Sequence, residues 1–432
     1  MAITIEQNPQ LFTTIGNPMT FVVSSTNVAQ PNFMFVCDVY RGATLITKMK
    51  AFPNPATNYG YFNIRESLRF FIGMKTNIDD GNGFEGVDMW TSYTVEFSEQ
   101  YSGASATTYD FTGTVYCGAI DSLDFPFYLQ QNYVCDVSVP ADPIKLLTNR
   151  PQSTKAVALQ GFTYMQSGYL YIPCVRSSAP NIDFVHITYY DVNGSVIRDY
   201  FYKTPNWFYH DASDPNENSV IAVPLMPLEI INISDAYTSD AEDGDVDFNL
   251  VTDSPGGYYS IRLSIDDTGT NYLSDEYFVY VDQPCTRYEF TEIHFQNQLG
   301  GVDSYVFTKP RREMQSITRV EASRPLLREN VFTYDYTIQD YSKYIASVDY
   351  QKTFNVLSDW LTDSEFEWLS EMVRSPRVWI RYNYLSGGSP ATALVPIIIT
   401  DTNYNVWKRD FDSLKTLSVN FKYTFDETTP LW

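Results

Sequence analysis

The chain has 432 residues and a mass of 49.5 kDa, enough for two to four domains of ordinary size, and its 44% hydrophobic content supports buried cores. Its 29 basic and 52 acidic residues leave a net charge of −23. That charge repels phosphate backbones and, with no basic run interleaved with aromatics, argues against specific nucleic-acid binding. No stretch approaches the ~18 consecutive apolar residues of a membrane-spanning helix, and Met1–Pro9 has neither a basic start nor an apolar core, so no signal peptide is expected.

The charge is uneven, at −7 over residues 1–145, −13 over 146–290 and −3 over 291–432. The acidic middle fits a solvated outer surface, a cation site or a face meeting a basic partner. Aromatics reach 16%, which suits pleated sheets and interfaces more than catalysis. The cysteines Cys37, Cys117, Cys135, Cys174 and Cys285 are odd in number and lack any C-x-x-C spacing, so neither a disulfide framework nor a zinc site is signalled. Three histidines, His186, His210 and His294, leave little for a histidine-based metal site or triad. No catalytic residue, metal ligand set or cofactor is assigned.

Residues 1–145 read as a β-sandwich-like domain, with strands at Phe21–Ser25, Phe33–Tyr40, Ala43–Met49, Tyr93–Phe97 and Thr112–Tyr116. Asn63 with Glu66 predicts a reciprocal cap opening a helix through Leu68, Phe71 and Ile72 that Gly73 ends. The prolines between 140 and 151 predict a linker. Residues 146–284 read as a second, acidic, immunoglobulin- or fibronectin-like sandwich. Its clearest feature is a hairpin over 184–202, where Asn193-Gly194 suits a type I′ turn. His186 falls in that alternation as an ordinary sheet residue.

Residues 285–432 read as a β-rich domain carrying one helix, making the whole chain mainly β and multidomain. Strands are expected at Tyr288–Gln296, Ser304–Phe307, Thr333–Thr337, Leu394–Ile399 and Thr416–Tyr423. Thr362 and Glu365 form a capping box, Leu361 and Phe366 a hydrophobic staple, and Phe366, Leu369, Met372 and Val373 share one face, which predicts a helix over 363–374 stopped by Pro376.

Asp240, Asp243, Asp245 and Asp247 alternate around Gly244, a weak candidate calcium loop without the distal Glu of an EF-hand; Ile78–Gly83 is a weaker one. A carboxylate pair for glycoside hydrolysis has no motif behind it. Tyr164, Tyr169, Tyr171, Trp207 and Tyr209 could stack on sugar rings or pack in a core. Lys309, Arg311, Arg312, Arg319, Arg324 and Arg328 set a basic stretch against the acidic middle, which suits docking between copies or a mixed surface.

The string Tyr288–Phe307, with Asn297-x-Leu299-Gly300-Gly301-x-Asp303 at its centre, resembles a strand–turn–strand segment of structural proteins of tailed bacteriophages. The segments Glu367–Leu369, Ser375–Val378, Val395–Asp401 and Leu417–Tyr423, and the opening around Pro9-Gln10, Asn17-Pro18 and Ser24–Phe33, are similar in style, crAss-like and related phages of Bacteroidota included. The resemblance implies a non-enzymatic virion protein of the tail, baseplate or neck. It would be assembled with itself in a ring around the DNA-delivery channel and contact other virion tail or neck proteins, with no cofactor. Physically, Gly300 and Gly301 are expected to supply positive φ and Asp303 to close an Asx-type turn. The competing reading is a receptor-reading tail-tip module that binds host surface polysaccharide through a concave aromatic patch.

Overall fold

Alternation of apolar and polar side chains becomes alternation of burial along the strands: over Trp90–Tyr101 every second residue is buried as far as Glu99. The computed structural model describes residues 3–74, 84–134, 143–174, 184–203, 219–231, 236–237, 257–323, 328–329, 334–335, 343–401 and 415–425, with 86, 103, 160–163, 267–268, 270, 285–286 and 387–388 excepted. Within these residues the protein is mainly β and multidomain.

The first segment holds β1 (Ile3–Gln7), β2 (Phe12–Thr14), β3 (Thr20–Ser25), β4 (Met34–Arg41), β5 (Thr44–Ala51), β6 (Gly60–Asn63), α1 (Arg65–Leu68), β7 (Phe84–Glu85), β8 (Trp90–Tyr101) and β9 (Ala104–Tyr116). A five-stranded sheet ordered β2-β9-β8-β4-β5 and a three-stranded sheet ordered β1-β3-β6 share one core. Phe97 meets Phe21 at 5.3 Å and Phe62 at 5.8 Å from the opposite sheet, so this is a sandwich. The helix expected after Asn63 forms as one α turn over Arg65–Leu68 continued by a 3-10 turn over Arg69–Phe71, and the extended Ile72 ends it one residue before Gly73. Half of the expected cap forms: Asn63, the last residue of β6 and paired with Thr20, accepts the Arg65 amide on Oδ1 at 3.2 Å, while Glu66 turns to the Arg65 side chain instead of back to the cap.

The middle segment holds β10 (Ser153–Val157), β11 (Tyr169–Cys174), β12 (Phe184–Tyr190), β13 (Val196–Lys203), β14 (Ser219–Pro224), α2 (Pro227–Ile231), β15 (Ala236–Tyr237), β16 (Tyr258–Ser264) and β17 (Tyr277–Asp282). The order β10-β17-β16-β12-β13-β15 makes a six-stranded sheet, and β11-β14-β7 a three-stranded one. Side chains of both meet in one core, and β7 comes from the first segment. The β12–β13 hairpin forms, but not through a type I′ turn. Gly194 donates to the Asp191 carbonyl at 3.1 Å and has φ +84°, while Asn193 is not among the positive-φ residues. Those features fit a type I turn closed by a left-handed glycine, and Asp191 Oδ1 fixes it by accepting from the Asn193 and Ser195 amides. Tyr190, Tyr258 and Tyr280 stack across three strands at 4.7 and 4.8 Å, one use of the aromatic surplus.

The last segment holds β18 (Thr291–Gln296), β19 (Val302–Phe307), β20 (Arg312–Ser323), β21 (Arg328–Glu329), β22 (Tyr334–Asp335), β23 (Lys343–Leu357), α3 (Asp363–Arg374), β24 (Val378–Ser386), β25 (Ser389–Ile399) and β26 (Ser418–Tyr423). Seven strands form one sheet, ordered β19-β18-β24-β25-β26-β23-β20. Thr362 and Glu365 form the expected capping box of α3. Phe366, Leu369 and Met372 are buried in the core that the helix shares with the sheet.

A fourth core joins the segments, taking Phe12 and Tyr116 from the first, Leu147 and Tyr171 from the second, and Leu299 and Val302 from the third. The stretch expected as a linker is part of it. Leu146, Leu147 and Arg150 are buried, because the chain here lies against β11, with the Leu147 amide donating to the Tyr171 carbonyl at 2.8 Å.

Candidate functional site

The turn Asn297–Gly301, between β18 and β19, sits where the three segments meet. Asn297 is 2% exposed and uses its whole amide. Oδ1 accepts from the Gly300 and Gly301 amides at 2.9 and 3.0 Å, and Nδ2 donates to the Leu147 carbonyl at 2.8 Å and to Asp303 at 2.9 Å. The Asx-type closure expected of Asp303 is therefore made by Asn297. Asp303 already belongs to β19 and points into the joint. Gly300 has φ +99°, whereas Gly301 is not among the positive-φ glycines. Both positions demand glycine by proximity: a Cβ on Gly300 would lie 1.5 Å from the Cys117 carbonyl oxygen, and one on Gly301 2.4 Å from that of Leu147. Leu299 is buried in the shared core.

Asp303 collects three donors, Thr148 Oγ1 at 2.9 Å, Asn297 Nδ2 at 2.9 Å and Trp368 Nε1 at 2.8 Å. The Arg150 guanidinium stands 3.7 Å from it, with both side chains 2% exposed. Arg150 also donates to the Ser304 carbonyl at 2.7 Å and lies 4.4 Å over the Trp368 ring. Burial lowers the Arg150 pKa, and Asp303 opposes that. Beside them, Glu371 of α3 accepts from Asn149 at 2.7 Å and from the Gln298 amide at 2.9 Å; burial raises its pKa.

A second buried network runs along the other side of β18. Glu292 accepts from the Ser167 amide, the Tyr164 hydroxyl and Arg381 Nη1 at 2.8, 2.8 and 2.9 Å, and His294 Nε2 lies 2.9 Å away. Burial alone would raise Glu292, but the His294 hydrogen bond and the Arg381 charge bring it down to about 2. Ser167 also donates to Glu229 at 2.5 Å, and the Gly168 amide does so at 2.8 Å. Burial, with Glu292 adding to it, pushes Glu229 up to about 8. Two carboxylates bridged by one serine are thus driven apart in acidity.

Sequence reasoning missed Thr148, Arg150, Ser167, Glu229, Trp368 and Arg381. One signal was present: Glu292, His294 and Gln296 alternate with Ile293 and Phe295, yet all of Thr291–Gln296 is buried, so the polar face had to find partners.

The other singled-out residues fall elsewhere. Asp240, Asp243, Asp245 and Asp247 lie outside the described residues, as do Ile78–Gly83, Trp207, Tyr209, His210, Cys135 and Cys285. Among the described residues no group of three or more His, Cys, Asp or Glu side chains is placed to hold a metal. Tyr169 and Tyr171 are buried core residues, unable to stack on a sugar. His186 stacks on Phe201 at 4.3 Å within its sheet. Cys37 and Cys117 are free and buried, and burial pushes the Cys37 thiol up to about 12 and Cys117 to about 11. The expected basic stretch is partly neutralised locally: Lys309 lies 3.8 Å from Asp359, and Arg311 3.9 Å from Glu289.

The exposed surface of the last segment is dominated by two ribbons. β20 pairs with β23 from Arg312–Asn355 to Ser323–Lys343, but β26 reaches β23 only over Phe354–Leu357. Among the described residues, most of both strands therefore projects beyond the rest of the sheet as a two-stranded arm, roughly 35 Å long at ~3.3 Å per residue. Every residue of β20 is exposed except Ala322, which is half-buried. Met314, Ile317, Val320 and Ile345 are 46–53% exposed. β24 and β25 likewise continue past the sheet, with Tyr382 and Tyr384 exposed. Sequence reading did not expect β20 or β23. Met314, Ile317 and Val320 recur every third residue, and a ribbon with no buried face carries no period-two signal.

No protein-family model matches the chain, and no curated protein matches it. Among solved structures it is similar to the FN1–FN3 domains of chicken CNTN1, at 10% identity over 82% of this chain and 91% of that one, with a TM-score of 0.15.

Proposed function

We propose that this chain is a non-enzymatic structural subunit of a tailed-phage virion, in the tail, baseplate or neck, that assembles with copies of itself into a ring around the DNA-delivery channel. The β20–β23 arm is the observation that supports the reading. A two-stranded ribbon alone in water is marginally stable, and β20 is the last strand of its sheet among the described residues. It offers a 12-residue edge and exposed apolar side chains to a neighbour. Repeated head to tail, such a contact closes into a ring when its rotation permits. A net charge of −23 keeps a lumen from holding passing DNA.

Native mass spectrometry with negative-stain imaging tests it. Wild-type protein is expected to form closed rings of one copy number, and I317D/I345D, which charges both strands of the arm without touching a core, to fall apart to monomer. Rings that survive I317D/I345D would remove the arm from the seam. A wild-type protein that stays monomeric from micromolar to near-millimolar concentration would overturn self-assembly.

A further inference from the structure

A concavity of about 260 Å³ lies between the middle segment and the outer end of β18 and β24. We propose that it is a binding site for one neutral pyranose ring. Three aromatic side chains shape it: Tyr288 and Tyr382, 45% and 49% exposed at the rim, and the half-buried Phe290. Tyr164 closes the floor. Its ring sits 5.0 Å from Phe290 and 5.5 Å under the Arg381 guanidinium, and its hydroxyl is tied to Glu292. That floor is held by buried hydrogen bonds and needs no reorganisation to receive a ligand.

The polar lining selects the ligand class. Glu289, Asn383 and Arg311 are all planar groups, and they offer acceptors and donors of both signs. An aromatic cage for a quaternary ammonium would exclude the two arginines, and an anion site would exclude Glu289 and Glu292. Aromatic faces beside an evenly mixed, planar hydrogen-bonding set match a ring with an apolar C–H face and an edge of hydroxyls that both donate and accept. The volume falls below the ~300–1,000 Å³ of drug-sized pockets and so fits a single ring. The inference is independent of the assembly reading, because none of these residues lies in the β20–β23 arm.

The test is saturation-transfer NMR and titration calorimetry on the full chain. Methyl glycosides of glucose, galactose, mannose and N-acetylglucosamine serve as probes, and choline and inorganic phosphate as counter-probes. At least one glycoside is expected to bind with a Kd on the order of 1 mM, given ordinary efficiency per atom for a ligand this small. Y288A/Y382A, which removes only half-exposed rings, should weaken it at least tenfold with circular dichroism and ring assembly unchanged, and N383A should weaken it severalfold. Four results would overturn the site: no transfer from any glycoside at roughly 20 mM, binding unchanged in Y288A/Y382A, choline or phosphate binding in preference to the sugars, or loss of assembly in Y288A/Y382A, which would make the cleft part of an intersubunit seam.

Discussion

Replacing Asp303 by Asn keeps the shape of the joint and removes its negative charge. The new amide has one good orientation. Its oxygen stays toward Trp368 Nε1 and Asn297 Nδ2, now at 2.8 and 2.9 Å from Oδ2, and its nitrogen turns toward Thr148, whose hydroxyl can rotate to accept. Two of the three hydrogen bonds survive and the third inverts. What remains is Arg150, 2% exposed at its side chain and deprived of the only carboxylate paired with it among the described residues. Breaking a buried pair from one side costs about 3–5 kcal/mol. Arg150 retains the Ser304 carbonyl and the Trp368 ring, so D303N is expected near the low end, about 3 kcal/mol. With several cores, a single global transition is a poor reporter. Hydrogen exchange of the 297–301 amides reads the joint itself, and about 3 kcal/mol should speed it roughly a hundredfold. R150M removes the other charge and leaves Asp303 its three donors, so it should cost less, and R150M/D303N should exchange within about tenfold of wild type. Exchange in D303N within threefold of wild type, or a double variant equal to the product of the singles, would refute the claim that this ion pair holds the joint.

Three further expectations follow from the same geometry. Gly300→Ala combines a positive φ with a Cβ 1.5 Å from a backbone carbonyl oxygen, so it should lower joint stability by about 3 kcal/mol or more, seen as roughly hundredfold faster exchange of the 297–301 amides. Thr362→Ala removes the α3 cap and should cost about 1 kcal/mol, read as a lowered melting temperature with unchanged assembly. Stability should peak near pH 5. Glu292, held at about 2 in the folded chain against an ordinary 4.5, contributes stability above pH 4.5 that is lost as pH falls toward 2. Glu229, raised to about 8, contributes stability below pH 4.5 that is lost as pH rises through 8. Melting temperatures from pH 3 to 9 should therefore drop by roughly 5 °C on each flank. E292Q should flatten the acid flank and E229Q the alkaline one, and a profile that E229Q leaves unchanged would assign the alkaline loss elsewhere.

What was legible in the sequence was local. The α3 cap, staple and apolar face lie within 13 residues of one another, and each could be read without knowing the fold. The 184–202 hairpin was located by alternation and Asn193-Gly194, but its turn type depended on Asp191, whose side chain accepts two amides and sets the first half of the turn in a right-handed conformation. The joint was illegible because its bonds span long separations. Thr148 and Asp303 are 155 residues apart, and Arg381 and Glu292 are 89 apart. The Asn297–Asp303 motif marked its position without revealing its purpose: its glycines and Asn297 serve a close approach of three backbones as much as a turn.

The joint and the ribbons are mechanically linked. Arg381 stands at the point where β24 leaves the seven-stranded sheet, beyond its last pairing with β18 at Ile380. There it is bonded to the Met165 carbonyl and to Glu292 at 2.6 and 2.9 Å. The β24–β25 ribbon is thus fixed at its root to the middle sandwich. Glu371, which accepts from Asn149, and Trp368, whose ring lies under Arg150, fix α3 to the stretch after residue 146. An apolar core alone tolerates small rotations between packed domains, because its contacts are non-directional. Hydrogen bonds to buried charges do not, since a tilt that breaks one leaves a desolvated charge. A subunit whose β20–β23 arm must meet its neighbour at one angle in every copy needs that kind of rigidity. On this reading the polar joint sets the closure angle of the assembly, and weakening it through D303N should broaden the distribution of copy numbers before it abolishes association.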